Sequence, residues 1–258
     1  MLNKIMTMYE KKSSAHLKQI ARGLMLGKYR NAITVLLAND LLLSTLSLFT
    51  TTASTTLSGV VIGILINFIV ILLGSILLVG QYSFYLNIAC NQSFQFTDLF
   101  TGFKVYPDKI IITSLVSWLI TSLPLVPALI VFIVAAFMPN IPILFLIGCL
   151  LLIVGTVLSC LFMLRFSQVH YLLLDFPEYS AMNLLKLSWK LMHGNCGRLF
   201  YLYISFLPLT LVGLFTFGIG LLFIHPYQQM TYTLFYLDLI QSQSSIGVDW
   251  KSPNKVLN

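Results

Sequence analysis

Residues 59–89 read GVVIGILINFIVILLGSILLVGQYSFYLNIA. The run holds no charged side chain, and about 20 apolar residues, each rising 1.5 Å, already cross the hydrocarbon of a bilayer. It is therefore a membrane helix longer than the membrane needs, and it must tilt or project beyond the lipid. Gly59, Gly63, Gly74 and Gly80 along it let other helices approach closely.

The rest of the chain has the same character. Of its 258 residues, 58% are hydrophobic and 9% charged, whereas a soluble domain carries about 25% charged residues. A single soluble core stops growing near this chain length and has no room for so much apolar surface. The fold class expected is all-α: a polytopic transmembrane helical bundle of about six spans in three hairpins, with amphipathic interfacial helices between them.

Residues 1–31 read as a basic amphipathic cytoplasmic lead, 32–240 as the bundle and 241–258 as a polar cytoplasmic tail. Spans are expected near 32–52, 59–85, 110–137, 143–166, 199–217 and 221–240. Pro124 and Pro127 should kink the third, which membrane helices tolerate. The sixth is the most polar, with His225, Pro226, Gln228, Gln229, Thr231 and Thr233, so five spans and an interfacial last helix form the alternative.

Charge bears on that choice. The formal charge is +7, and Lys4, Lys11, Lys12, Lys18, Arg22, Lys28 and Arg30 precede the first span with Glu10 the only acid among them. Lysines and arginines also occur between spans two and three, between four and five, and in the tail at Lys251 and Lys255, while the two outer turns have none. Six spans satisfy the positive-inside pattern and put both termini in the cytoplasm; five would put the tail lysines outside. Beside a membrane span, a basic cluster sets topology and touches anionic lipid rather than nucleic acid. The basic lead is also too long for a cleaved signal peptide.

Three segments outside the spans are amphipathic. The first is Leu17 to Lys28. In the second, Phe94, Phe96, Leu99, Phe100 and Phe103 recur at roughly helical spacing. In the third, Tyr179 to His193, the residues Met182, Leu185, Trp189 and Met192 share one face, with Lys186 and Lys190 toward another. Each is followed by a glycine break (Gly27-Lys28, Gly102, Gly194-Asn195) and two spans. Similar stretches close the even spans: Gln81-Tyr82-Ser83-Phe84-Tyr85, Ser167-Gln168-Val169-His170-Tyr171 and Gln228-Gln229-Met230-Thr231-Tyr232. The pattern reads either as an internal triplication or as the common look of hairpins with interfacial helices.

These segments resemble a family of bacterial integral membrane proteins known as domain of unknown function 975. The residues that carry the resemblance are Leu17-Lys18-Gln19-Ile20-Ala21-Arg22, Asp98-Leu99-Phe100-Thr101-Gly102-Phe103 and Leu187-Ser188-Trp189-Lys190-Leu191-Met192-His193-Gly194. Gly218-Ile219-Gly220, Pro226-Tyr227 and Thr233-Leu234-Phe235-Tyr236-Leu237-Asp238-Leu239 also fit. More remotely, the chain looks like the membrane domain attached to some glycerophosphodiester phosphodiesterases. Cys196 and Gly197 depart from the bulkier residues common at their positions. The resemblance implies a bacterial plasma-membrane protein with six spans, and implies no chemistry.

Ionisable groups in hydrocarbon are costly, about 2.5–3.5 kcal/mol at a helix centre, and usually face the bundle interior. Asp40, beside Asn39 in the first span, is the outstanding case. The candidate intramembrane polar site comprises Asp40, Asn39, Arg165, His170, His225 and Gln228, with Asp40 pairing Arg165, His170 or His225. The bland alternatives are a hydrogen bond to another helix for Asn39 and Asp40, snorkelling for Arg165, and a bond from His225 to a carbonyl freed by Pro226. Asp238 reads as a solvated end charge.

Chemistry has no other foothold. Cys90, Cys149, Cys160 and Cys196 form no C-x-x-C pair, and His16, His170, His193 and His225 have no metal-ligand spacing. G-x-S-x-G, H-E-x-x-H and G-x-x-x-x-G-K-[ST] do not occur. No enzyme activity and no cofactor are expected. The expected role is a non-enzymatic envelope, export or resistance accessory acting through membrane lipids or a protein partner in the membrane. The rival is a small transporter or channel with a polar interior around Asp40. Reporter fusions at residues 55 and 140 are expected to report the side opposite the N-terminus; reporting from the same side refutes this arrangement.

Overall fold

The computed structural model describes residues 12–51, 57–138 and 140–243. Among them every regular element is helical. Helix α1 (Ser14–Met25) is followed by α2 (Tyr29–Thr51) and α3 (Leu57–Ala89). A 3-10 turn (Phe96–Phe100) and α4 (Thr101–Lys104) lead to α5 (Pro107–Ser122). A second 3-10 turn (Leu123–Leu125) at Pro124 joins α5 to α6 (Val126–Phe137), so the α-helix is interrupted at the proline where the sequence placed a kink. Then come α7 (Pro142–Phe166), α8 (Val169–Asp175), α9 (Ala181–Leu191), α10 (Cys196–Ile204), α11 (Leu207–Phe215) and α12 (Leu221–Gln243).

Five segments are long and apolar enough to cross a membrane: Tyr29–Leu48, Ser58–Ala89, Pro107–Phe137, Pro142–Asp175 and Cys196–Phe215. Helix α12 has 23 residues, long enough at about 34 Å, but it does not reach that apolarity. Lys4, Lys11, the middle of the first outer turn and the tail lysines Lys251 and Lys255 lie outside the described residues.

Burial is concentrated at one end. In α3 residues 58–75 are exposed or half-buried, whereas Ile76, Leu77, Val79, Phe84, Tyr85, Leu86 and Ile88 are buried. Helix α8 is buried except at the half-buried His170, and α12 is buried along most of its length. The outer parts of α3, α6, α7 and α11 expose Leu65, Phe68, Ile133, Leu146, Leu150 and Leu214. An apolar surface of that extent is stable in lipid and not in water. The chain is a helical membrane bundle whose hairpins are tied together mainly at one end.

The first and third units repeat in detail. Ser13 and Ser180 each cap a helix through the side-chain oxygen, accepting from the backbone N–H of His16 and of Asn183. Leu17, Ala21 and Met25 are buried on α1, and Leu184, Ser188 and Met192 are buried at the same spacing on α9 and at its end. Gly27 and Gly194 both take the left-handed conformation, at φ 75° and 74°, where a side chain would be strained. Ala32 and Val35 on α2 then match Leu199 and Leu202 on α10, all buried. The sequence expectation of a recurring unit thus has a structural counterpart over this stretch.

The second unit differs at its break. There the left-handed residue before the span is Tyr106, at φ 50°, not Gly102. Gly102 lies within α4 and touches α3: a Cβ there would run into the carbonyl oxygen of Ile76. Likewise a Cβ at Gly80 would run into the carbonyl oxygen of Leu99. The two glycines are what lets the interfacial segment sit on α3. Gly80→Ala and Gly102→Ala are expected to cost about 1–3 kcal/mol each by overpacking. Gly23→Ala, which meets nothing within 4 Å, is expected to be neutral or to stabilise by up to ~1 kcal/mol through helix propensity. Thermal melts in detergent check the ranking.

Candidate functional site

The polar residues expected to converge do not. Asp40 is exposed on α2 and accepts a hydrogen bond from Asn39 Nδ2 at 3.3 Å. Among the described residues no hydrogen bond or ion pair joins it to Arg165, His170 or His225, and the exposed position corrects the expectation of an interior site. Arg165, at the end of α7, stacks over Trp189 at 4.8 Å and donates to the Trp189 carbonyl at 3.4 Å. His225 is exposed beside Pro226 on α12. Gln228 Nε2 donates to Thr210 Oγ1 at 3.0 Å, bonding α12 to α11.

Asp238 is also corrected. It is 1% exposed, not a solvated end charge. Arg198 donates to its Oδ2 at 2.7 Å, and the backbone N–H of Lys12 donates to its Oδ1 at 3.2 Å. The same guanidinium donates to the Lys12 carbonyl at 2.9 Å and stacks over Phe235 at 5.3 Å. One ion pair therefore ties the lead, α10 and α12.

Helix α1 continues that seam. Lys18 Nζ donates to the Ser205 carbonyl at 2.8 Å, where the chain breaks between α10 and α11, and lies 4.0 Å from the centre of the Phe206 ring. Burial lowers the pKa of Lys18 from its ordinary value. Tyr227 Oη donates to the Lys18 carbonyl at 3.3 Å, and Tyr29 packs against Phe223 with ring centres 6.2 Å apart. Thus α1 runs antiparallel along α12, with its apolar face toward protein.

The densest polar cluster is one that no single motif marked. Tyr82 of α3, Tyr171 of α8 and Tyr236 of α12 form a continuous stack, with ring centres 4.4 and 4.9 Å apart. The Tyr171 hydroxyl meets Thr233 Oγ1 at 3.0 Å and accepts from Gln229 Nε2 at 3.1 Å. The Tyr236 hydroxyl donates to the buried Asp175 carboxyl. Next to the stack, His170 Nε2 meets Ser114 Oγ at 2.9 Å, linking α8 to α5. Of the predicted site residues, His170 alone belongs to this cluster. Burial and then the charge of Asp175 push the Cys90 thiol up, so it is a poor nucleophile.

One sequence signal pointed here: the stacked Tyr82, Tyr171 and Tyr236 lie one, three and seven residues after Gln81, Gln168 and Gln229 in the segments closing the even spans. Phe84, Tyr171 and Tyr232 follow three residues later, and Ile88, Asp175 and Tyr236 seven residues later. The cluster is the place where three repeated segments meet.

A family model described as "Protein of unknown function (DUF975)" matches residues 6–243. The chain belongs to the DUF975 family. No curated protein and no solved structure matches it. Family membership covers the whole bundle, from the docked lead to the end of α12.

Removing Arg198 takes away the guanidinium bonded to the buried Asp238 carboxylate. Arg198→Met is expected to destabilise by about 3 kcal/mol, a figure at the low end for a broken buried pair because the arginine is partly exposed. Arg198→Met with Asp238→Leu is expected to recover most of the loss, since replacing both charges with apolar groups is close to neutral. A double-mutant cycle from thermal melts measures the coupling, and a double variant no better than the single removes this account.

Proposed function

We propose that this is a six-crossing, non-enzymatic protein of a bacterial plasma membrane, acting at the inner leaflet through anionic lipid. The sixth crossing is α12. It pairs with α10 and α11 from Arg198–Asp238, through Tyr203 and Tyr232 at 4.7 Å between ring centres, to Thr210–Gln228. If α10–α11 crosses, α12 returns over the same depth, and both termini lie on the cytoplasmic side.

The observation that carries the lipid reading is the outer face of the interfacial segments. Phe96, Phe100 and Phe103 are exposed, Phe96 edge-on to Phe100 and Phe103 tilted against Phe100, beside the exposed Lys104. On α9 the buried face is Leu184, Leu185, Ser188 and Leu191, with Met192 just beyond. Met182 and Trp189, expected on that face, are instead exposed beside Lys186 and Lys190. Aromatic side chains next to lysines suit the boundary between acyl chains and anionic headgroups. This face supports an accessory role in envelope maintenance or export. The rival transport reading needs a polar interior at Asp40, and the exposed position of Asp40 lends it no support.

The test uses purified protein in vesicles. Phosphatidylglycerol in place of phosphatidylcholine is expected to raise the melting temperature and to be retained in native mass spectra. Lys104→Ala/Lys186→Ala/Lys190→Ala is expected to weaken that retention about tenfold or more, at roughly 1 kcal/mol per surface lysine before screening. Equal behaviour of the two lipids refutes the lipid reading. Ion or solute flux through the vesicles refutes the non-transport reading.

A further inference from the structure

A cavity of about 220 Å³ lies between α3 and α5, lined by Phe68, Leu72, Ser75, Ser114, Trp118 and His170 among others. Its walls are apolar, and Phe68 and Trp118 are themselves exposed on the outer surface of the bundle. The cavity therefore opens sideways, toward the face that lipid would cover.

Its polar end is unusual. Ser75 hydroxyl donates to the Leu72 carbonyl and Ser117 hydroxyl to the Thr113 carbonyl, the ordinary use of a serine in an apolar helix. Ser114 instead meets His170 across two helices at 2.9 Å. A hydroxyl has one donor and two acceptor positions, and an imidazole one of each. The single bond between Ser114 and His170 leaves hydrogen-bonding capacity on the pair that lines the cavity.

We propose that this cavity binds a lipid-phase molecule with one apolar chain ending in an uncharged hydroxyl or carbonyl group, held by His170 and Ser114. The class follows from three features. The lining residues include no lysine, arginine, aspartate or glutamate, and an ionised head placed there would be desolvated without a counter-charge. The volume exceeds only modestly the roughly 150 Å³ of a cavity that takes benzene, so one chain end fits and a pair of acyl chains does not. Ser114 lies seven residues into α5, about 10 Å along the helix axis, with Trp118 deeper still. The polar end therefore faces the α5 N-terminus, and the chain extends toward the middle of the bundle. This site does not depend on the anionic-lipid reading, which concerns α4 and α9.

The chain has three tryptophans, so Trp189→Phe with Trp250→Phe leaves Trp118 as the only indole. In phosphatidylcholine vesicles, a long-chain alcohol brominated in mid-chain is expected to quench Trp118 with a saturable component. The matching brominated hydrocarbon is expected to quench only in proportion to its concentration in the membrane. His170→Phe is expected to weaken the saturable component at least tenfold, and Ser75→Leu, which fills the cavity, to abolish it. Helical circular dichroism identifies any variant that fails to fold, and Ser114→Ala then replaces it and is read in the same way. Identical, non-saturating quenching by alcohol and hydrocarbon overturns the proposal. So does a saturable component that persists undiminished in the folded variants.

Discussion

A polar side chain placed among apolar helices has to find its partner inside the protein, because lipid offers none. Helix α12 carries more such groups than any other long helix here, and the bundle is arranged around satisfying them. Gln228 bonds Thr210, Gln229 bonds Tyr171, Thr233 meets Tyr171, Tyr236 bonds Asp175, and Asp238 takes Arg198 and the Lys12 backbone. These partners come from α11, α8, α10 and the lead segment. To reach all of them α12 must sit inside the bundle, packed against α1, α2, α3 and α11. Its low hydropathy is a consequence of facing protein rather than lipid.

The same requirement explains why burial gathers at one end. The long helices α3 and α7–α8 extend past the length a bilayer needs, and their extra turns carry Tyr82, Tyr171 and Asp175 into the cluster around α12. The outer turns have no such obligation and remain paired mainly within their own hairpins, α2 with α3 and α6 with α7. The interfacial segments close the buried end: α4 through the glycine contacts at Ile76 and Leu99, α9 through Ser188, whose hydroxyl donates to the Arg165 carbonyl at 2.8 Å. What they leave outward is an aromatic and basic face, and what the splayed outer turns leave between α3 and α5 is a lipid-facing cavity.

How far the site was legible depended on whether a residue's role was local. The glycine breaks at Gly27 and Gly194 and the proline break at Pro124 are written in a few consecutive residues, and each has its structural counterpart, whereas the break expected at Gly102 falls at Tyr106. Asp40 misled because depth along a span says nothing about which way a side chain faces. Asp238 misled for the opposite reason: it lies near a chain end, yet Arg198 and Lys12 fold over it. On α9, helical spacing grouped Met182 and Trp189 with Leu185, but the buried stripe is rotated toward Leu184 and Ser188. The distinction cannot be read from hydrophobicity when the outward medium is itself apolar.

By itself the sequence determined that this is an all-helical membrane bundle, where its long apolar helices run, and that amphipathic segments and glycine breaks recur between them. Those features follow from hydrocarbon thickness and backbone geometry, which act on each stretch separately. Only the tertiary structure decided that α12 lies inside, that α1 docks along it, and that Tyr82, Tyr171, Asp175 and Tyr236 meet. These are contacts between residues far apart in the chain, and the energy that selects them is the pairing of polar groups across helices, which exists only once the helices have come together.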